Sequence, residues 1–135
     1  MYAVCGQDTV EGVSAGVYHY TTSHALLLEQ PGDVRQELAR AALDQGFIAQ
    51  APVTLVIGAI YARTAEVYGE RAARYVHMEV GHAGQNIYLQ AAALGLATVA
   101  VGAFDDERVK RVLRLEAECQ PLYIMPVGFP AEQEE

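Results

Sequence analysis

Basic residues are scarce in this 135-residue chain. Nine Lys and Arg stand against seventeen Asp and Glu, a net charge of −8. Nonspecific nucleic-acid binding draws on clustered cations, and here they are few and scattered, so no nucleic-acid partner is expected. Cysteine is also sparse. Cys5 and Cys119 lie far apart with no CxxC partner, which argues against a zinc site or a disulfide framework. Reduced thiols and a cytoplasmic location are the expectation. Met1 is followed by a polar, glycine-containing segment without the basic start and apolar run of a signal peptide. Charge is missing altogether from Val80 to Phe104, a length that could cross a bilayer. His82, Gln85, Asn86, Gln90 and Thr98 make insertion costly, and Gly95 splits the run into a helix and a strand. A segment buried between protein surfaces, with no membrane role, fits better.

What is present is globular. Hydrophobic residues make up 52% of the chain and charged ones 19%, enough for one domain with one core. Tyr2 to Cys5 reads as the remnant of a strand. Gly16 to Tyr20 and Ala25 to Glu29, separated by the turn formers Thr21 to His24, read as a hairpin. Pro31-Gly-Asp33 punctuates, and Val34 to Gln45 reads as a helix that Asp33 can cap and Gly46 ends. Pro52 to Ile60 is a continuous apolar run of the kind found in a strand covered on both faces. Arg63 to Arg74 is predicted helical with a possible break at Gly69, and a long helix follows to about Leu94. Its apolar stripe is Val76, Val80, Ala83, Ile87, Ala91 and Leu94. The opposite side is Gly81, Gly84, Gln85 and Ala92, small or polar but uncharged, so this helix is expected to be covered nearly all round. Gly95 ends it. A strand is predicted from Leu96 to Val101, then a helix from Glu107 to Leu113 with acidic residues at its positive end. Pro121 to Val127 is the last strand, and Ala131 to Glu135 an acidic tail. Mixed α and β structure follows, with helix and strand alternating in the second half.

Most chemistry-bearing patterns are absent. His77 and His82 are five apart and do not share a helix face as an HExxH pair does. Glu79 and His82 form a single ExxH, whereas a di-iron bundle needs two plus further helical Glu residues. No metal site is expected. There is no GxSxG, and neither cysteine has an evident His and acid around it. Neither a phosphate-binding GxxxxGK[ST] nor a GxGxxG is found. His19, Tyr18 and Tyr20 are polar candidates that read more readily as packed or surface strand residues, and His82 reads as well as a satisfied buried histidine, so the catalytic residues are unknown at this level. One constellation remains. Val99-Ala-Val-Gly-Ala-Phe-Asp105 is a buried strand ending in a glycine and a small residue just before a helix. Gly102 and Ala103 would let backbone N–H groups approach a flat ligand, although an ordinary strand–turn–helix junction reads the same way.

Several segments add up in order: Gly16-Val-Tyr-His-Tyr20, Ala51-Pro52, Tyr68-Gly-Glu-Arg-Ala-Ala-Arg-Tyr75, Gly81-His-Ala-Gly-Gln-Asn86, Ala93-Leu-Gly-Leu96, Val101-Gly-Ala-Phe-Asp105 and Pro126-Val-Gly-Phe-Pro130. Together they resemble the nitroreductase-like FMN-dependent oxidoreductases, and within them the SagB-type dehydrogenase branch, whose best-known members oxidise azolines to azoles in peptide natural products. The resemblance spans roughly Gly12 to Pro130. It implies an α+β nitroreductase fold, truncated at the N-terminus, with a central sheet flanked by helices. Residues 1–135 would be a single domain corresponding to the C-terminal two-thirds of the family domain. It also implies a homodimer with FMN in the interface, hydride transfer through the flavin, and a small-molecule or peptide-derived substrate. Gly102 and Ala103 match the family's flavin-edge loop.

The chain departs from the family pattern in three places. The family's Arg-x-Ser-x-Arg-like phosphate segment and its Pro-Ser-Ala-Gly-like segment would both fall upstream of Tyr2. The cation often found after the last Gly-aromatic-Pro is replaced by Ala131-Glu-Gln-Glu-Glu135. Burying a phosphate without basic partners is costly; Arg63, Arg71 and Arg74 are the possible substitutes. A noncatalytic dimeric remnant, serving as a binding or structural module, is the alternative expectation. A further one has a separate chain supplying the missing part.

Overall fold

The computed structural model describes residues 1–130; the expected acidic tail lies outside them. Six strands form one sheet: β1 (Tyr2–Cys5), β2 (Gly16–Tyr20), β3 (Leu26–Pro31), β4 (Val53–Ala59), β5 (Ala97–Thr98) and β6 (Gln120–Gly128). Their order across the sheet is β3-β2-β1-β4-β6-β5, with every pairing antiparallel. The helices are α1 (Arg35–Ala41), α2 (Phe47–Gln50), α3 (Tyr61–Tyr68), α4 (Ala72–Ala93) and α5 (Asp106–Leu113), with a single 3-10 turn (Gly69–Arg71) between α3 and α4. This is an α+β fold.

Side-chain alternation along the strands divides the core in two. Val4, Val56 and Ile124 face one way and pack with Leu38 of α1, Ile48 of α2 and Val109 and Leu113 of α5. Ile57 and Met125 face the other way, against Val76 and Val80 of α4. The central strands are therefore covered on both faces, as the apolar run of β4 requires. Tyr2 to Cys5 is no remnant: β1 pairs with β2 on one side and β4 on the other.

Local chemistry explains the helix ends. The Asp105 carboxylate caps α5 by accepting from Arg108 N at 2.9 Å. α4 closes in a Schellman motif: Gly95 is left-handed at φ 70°, and Leu96 N donates to Ala91 O at 2.8 Å while Gly95 N donates to Ala92 O at 3.1 Å. No helix is long and apolar enough to cross a membrane among the described residues.

Two expectations are corrected. The helix expected to Gln45 stops at Ala41, because Leu43 and Asp44 both turn left-handed, at φ 58° and 59°; Gly46 begins α2 instead of ending α1. The strand expected from Leu96 to Val101 pairs with β6 only at Ala97 and Thr98, leaves the sheet, and touches it again at Val101, which bridges Ile124. Within the single chain α4 is covered on one side; the expected cover of its other side would come from a partner subunit. Of its small and polar face Gly84 alone is buried, while Met78, Leu89 and Leu94 lie 53%, 61% and 62% exposed.

Candidate functional site

The loop between β5 and α5 is held at several points. The Ala100 N–H donates to the Tyr88 hydroxyl of α4 at 2.7 Å. Val101 and Ile124 exchange both backbone hydrogen bonds, at 2.9 and 3.0 Å. The Gln45 side-chain amide donates to Ala103 O at 2.9 Å and to Ala42 O at 2.7 Å. The Asp105 N–H donates to Ala41 O at 2.9 Å. Between these anchors Gly102 and Ala103 are exposed. Among the described residues, the N–H groups of Gly102, Ala103 and Phe104 have no hydrogen-bond partner. A buried orphan of this kind would be costly; here Gly102 and Ala103 are exposed, and Phe104 is partly buried against the core. A side chain at Gly102 would have its Cβ 3.9 Å from the Tyr123 ring, so glycine leaves the approach to the loop clear. Tyr123 in turn packs at 3.4 Å from the position of a Cβ on Gly84, which lets α4 sit close over β6.

A second concave feature lies beside α4. The first half of α4 and α3 enclose an open groove of about 770 Å³, lined by Ile60, Arg63, Tyr68, Tyr75, Glu79 and His82. His82 thus faces this groove. His77 does not; it hydrogen-bonds the Tyr61 hydroxyl at 2.7 Å with the rings edge-to-face. Burial, and to a smaller extent the Asp106 carboxylate, raise the Tyr61 hydroxyl above its usual pKa. Among the described residues no group of three or more His, Cys, Asp or Glu comes together as a metal-binding cluster.

The remaining candidates sit elsewhere. The Tyr18 hydroxyl donates to Ser14 O at 2.7 Å, His19 stacks on Tyr2 with centroids 5.1 Å apart, and Tyr20 hydrogen-bonds His24. All three belong to β2, separated from β6 by β1 and β4, so the structure does not bring them to the loop. Of the possible phosphate partners, Arg63 faces the groove; Arg71 lies in the 3-10 turn and Arg74 on α4, both exposed. Among the described residues the ion pairs are Asp33–Arg35 and Glu107–Lys110, so none of these three is neutralised by a carboxylate. Ala51-Pro52 and Pro126–Pro130 do meet: a Cβ on Gly128 would come within 2.9 Å of Pro52. Gln45 and Tyr88 escaped the sequence reading, since nothing in a lone Gln after a helix or a Tyr within one marks a tether to a distant loop.

Comparison with known proteins identifies the fold and family. The nitroreductase family model matches residues 11–129. A Methanocaldococcus jannaschii protein that carries the name nitroreductase is 52% identical over 124 residues, covering 91% of this chain and 62% of its own length. The chain therefore spans less than two thirds of that relative. A solved structure from Anabaena variabilis, described as a nitroreductase, superposes with a TM-score of 0.88 at 31% identity, over 96% of this chain and 26% of that one. The E. coli microcin synthetase McbBCD, solved with truncated pro-MccB17 bound, gives 0.85 at 26% identity, over 97% and 51%. The Vibrio harveyi NADPH:FMN oxidoreductase, complexed with NAD+, gives 0.63 at 26% identity, over 73% and 46%. The chain belongs to the nitroreductase family.

Proposed function

We propose that this chain supplies the ring-edge half of an FMN site in a homodimeric oxidoreductase of the SagB-type dehydrogenase branch. The observation that carries the reading is the pair of exposed, unpartnered N–H groups at Gly102 and Ala103, on a backbone anchored at both ends. Two donors of this kind suit the polar edge of an isoalloxazine ring, and preorganised donors act most strongly where their position is fixed in advance. When bound, the flavin takes a hydride from a reduced donor and passes it to an acceptor. The chain's own contribution is to bind, orient and keep the edge of the ring accessible.

The other end of FMN is less well provided. Its phosphate carries about two negative charges near neutral pH, and residues 99–106 hold no Lys or Arg. In this reading Arg63, facing the α3–α4 groove, or a second protomer supplies the charge. Support for the second copy comes from α4, whose exposed side is uncharged from Gly81 onward and carries Leu89. The same peptide-binding relative that supports the branch assignment supports a peptide-derived or other small substrate.

The lack of Lys and Arg in residues 99–106 favours a second reading, a dimeric module without flavin. Titrating the purified chain with FMN separates the two. Bound flavin, seen as a shifted absorbance spectrum and colour retained through gel filtration, is the expected outcome. A dimer that stays colourless in excess FMN overturns the flavin reading and leaves the module.

A further inference from the structure

Gln45 is attached to the candidate site although it lies 58 residues from it in sequence. Its side-chain amide makes two hydrogen bonds, to Ala42 O at 2.7 Å and to Ala103 O at 2.9 Å. One bond fixes the side chain to the end of its own helix. The other fixes the carbonyl of the residue whose N–H is free for a ligand. Amide donors and acceptors share one plane (the Ala103 carbonyl belongs to the peptide unit it forms with Phe104), so holding that carbonyl also orients the Phe104 N–H and limits rotation of the loop about Ala103.

The backbone that delivers Gln45 is unusual. Leu43 and Asp44, immediately before it, are both left-handed, a conformation that costs an L-residue with a Cβ. Leu43 is 63% exposed, so burial of its side chain does not offset that cost. Strained backbone persists where surrounding contacts over-determine it. The bend is closed by the Gln45 N–H donating to Ala42 O at 3.2 Å, and the two side-chain bonds of Gln45 follow it. Nearby, Ala41 O accepts from Asp105 N at 2.9 Å. The α1–α2 corner thus grips the loop twice, at Ala103 and at Asp105.

We propose that Gln45 is a positioning residue, which sets the direction of the Gly102–Phe104 N–H groups and so the affinity of the site for its ring-shaped ligand; the second half of this statement rests on the flavin reading. Gln45→Met keeps the length of the side chain but cannot donate. Gln45→Glu keeps its shape and, when ionised, cannot donate either. Gln45→Asn keeps the donor on a shorter stem.

The test has two arms. In the flavin-free protein, amide hydrogen exchange is followed by mass spectrometry for peptides covering residues 99–106, with β4 and β6 as internal controls. Gln45→Met and Gln45→Glu are expected to speed exchange of the hydrogen-bonded amides in 99–106, those of Ala100, Val101 and Asp105, by about fivefold, the effect of losing one ordinary hydrogen bond, and to leave the controls unchanged. The second arm measures the dissociation constant for FMN, expected to rise about fivefold in both variants. Unchanged exchange in both variants overturns the positioning role, whatever FMN does. Faster exchange in the controls as well assigns Gln45 to general stability and also overturns it. If the unaltered chain binds no FMN, the flavin reading falls, and the exchange arm alone still decides the role of Gln45.

Discussion

Asp33 shows how much one carboxylate can organise. It accepts from Gln7 N at 3.0 Å and from the Arg35 guanidinium at 2.7 and 2.9 Å, and Arg35 also donates to Ala51 O at 2.9 Å. Three segments meet there: the exit from β1, the start of α1 and the entry to β4. The hydrogen bonds from Arg35 hold the Asp33 carboxyl at about 2, against its desolvation and below the usual 3.8. A folded-state value below the unfolded one means stability that is present above about pH 4 and lost as pH falls through 2. Because Asp33 is solvent-exposed, screening keeps the contribution to about 1 kcal/mol. Asp33→Asn should therefore unfold at lower urea concentration than the parent chain at pH 7, and the difference should close near pH 2. At Gly102 the expectation reverses. A Cβ there meets only ordinary contact with Tyr123, and the backbone is not left-handed, so Gly102→Ala should shift stability by less than about 0.5 kcal/mol. On the flavin reading the same methyl group would stand in the path of the ring, and FMN should bind about tenfold more weakly by fluorescence titration, the equivalent of about 1.4 kcal/mol.

Among the elements, the corner between α1 and α2 is the least comfortable. Leu43 has a left-handed backbone and little burial, so Leu43→Gly should raise the thermal midpoint. Relief of about 1 kcal/mol of backbone strain is partly offset by the greater freedom of glycine in the unfolded chain. This corner also marks where sequence reading stops working. The 3.6-residue spacing of Val76, Val80, Ala83, Ile87 and Ala91 finds α4, and Gly95 marks its end, because both signals are local. Val34 to Gln45 looks equally helical, yet the chain bends at a leucine that carries no turn signal; a tertiary contact, Gln45 to Ala103, accompanies the bend. The run after Gly95 fails for a related reason. Apolar β-branched residues fit a strand and a buried loop alike, and only pairing with β6 tells them apart. Gly102 and Ala103 could be marked from the glycine and the junction, but their tethers at Tyr88 and Gln45 could not, since each is a single long-range hydrogen bond.

At the scale of the whole molecule, the outer side of α4 poses the largest question. Leu89 sits in the open on a helix whose sequence is uncharged from Val80 onward. On the second-copy reading this apolar surface is where the partner subunit would dock. Leu89→Arg should keep the thermal midpoint of the protomer within about 0.5 kcal/mol of stability, because the side chain is not part of either core. It should also shift the species seen by light scattering from dimer to monomer. A monomeric parent chain at all concentrations would remove the second-copy reading. Edge strand β3, with Leu26, Leu27 and Leu28 about half exposed, is a separate surface that this variant leaves untouched.

The sheet order also bears on when the chain can fold. β4 lies between β1 and β6, so the middle of the sheet is closed by a strand that begins only at Gln120. Until the ribosome has released that segment, β4 has one open edge and the Ile124 and Met125 positions in both cores are empty. Nascent chains ending before β6 expose apolar strand edges and are substrates for chaperones and proteases. Closure of the middle of the sheet therefore waits for β6 and is governed by long-range pairing.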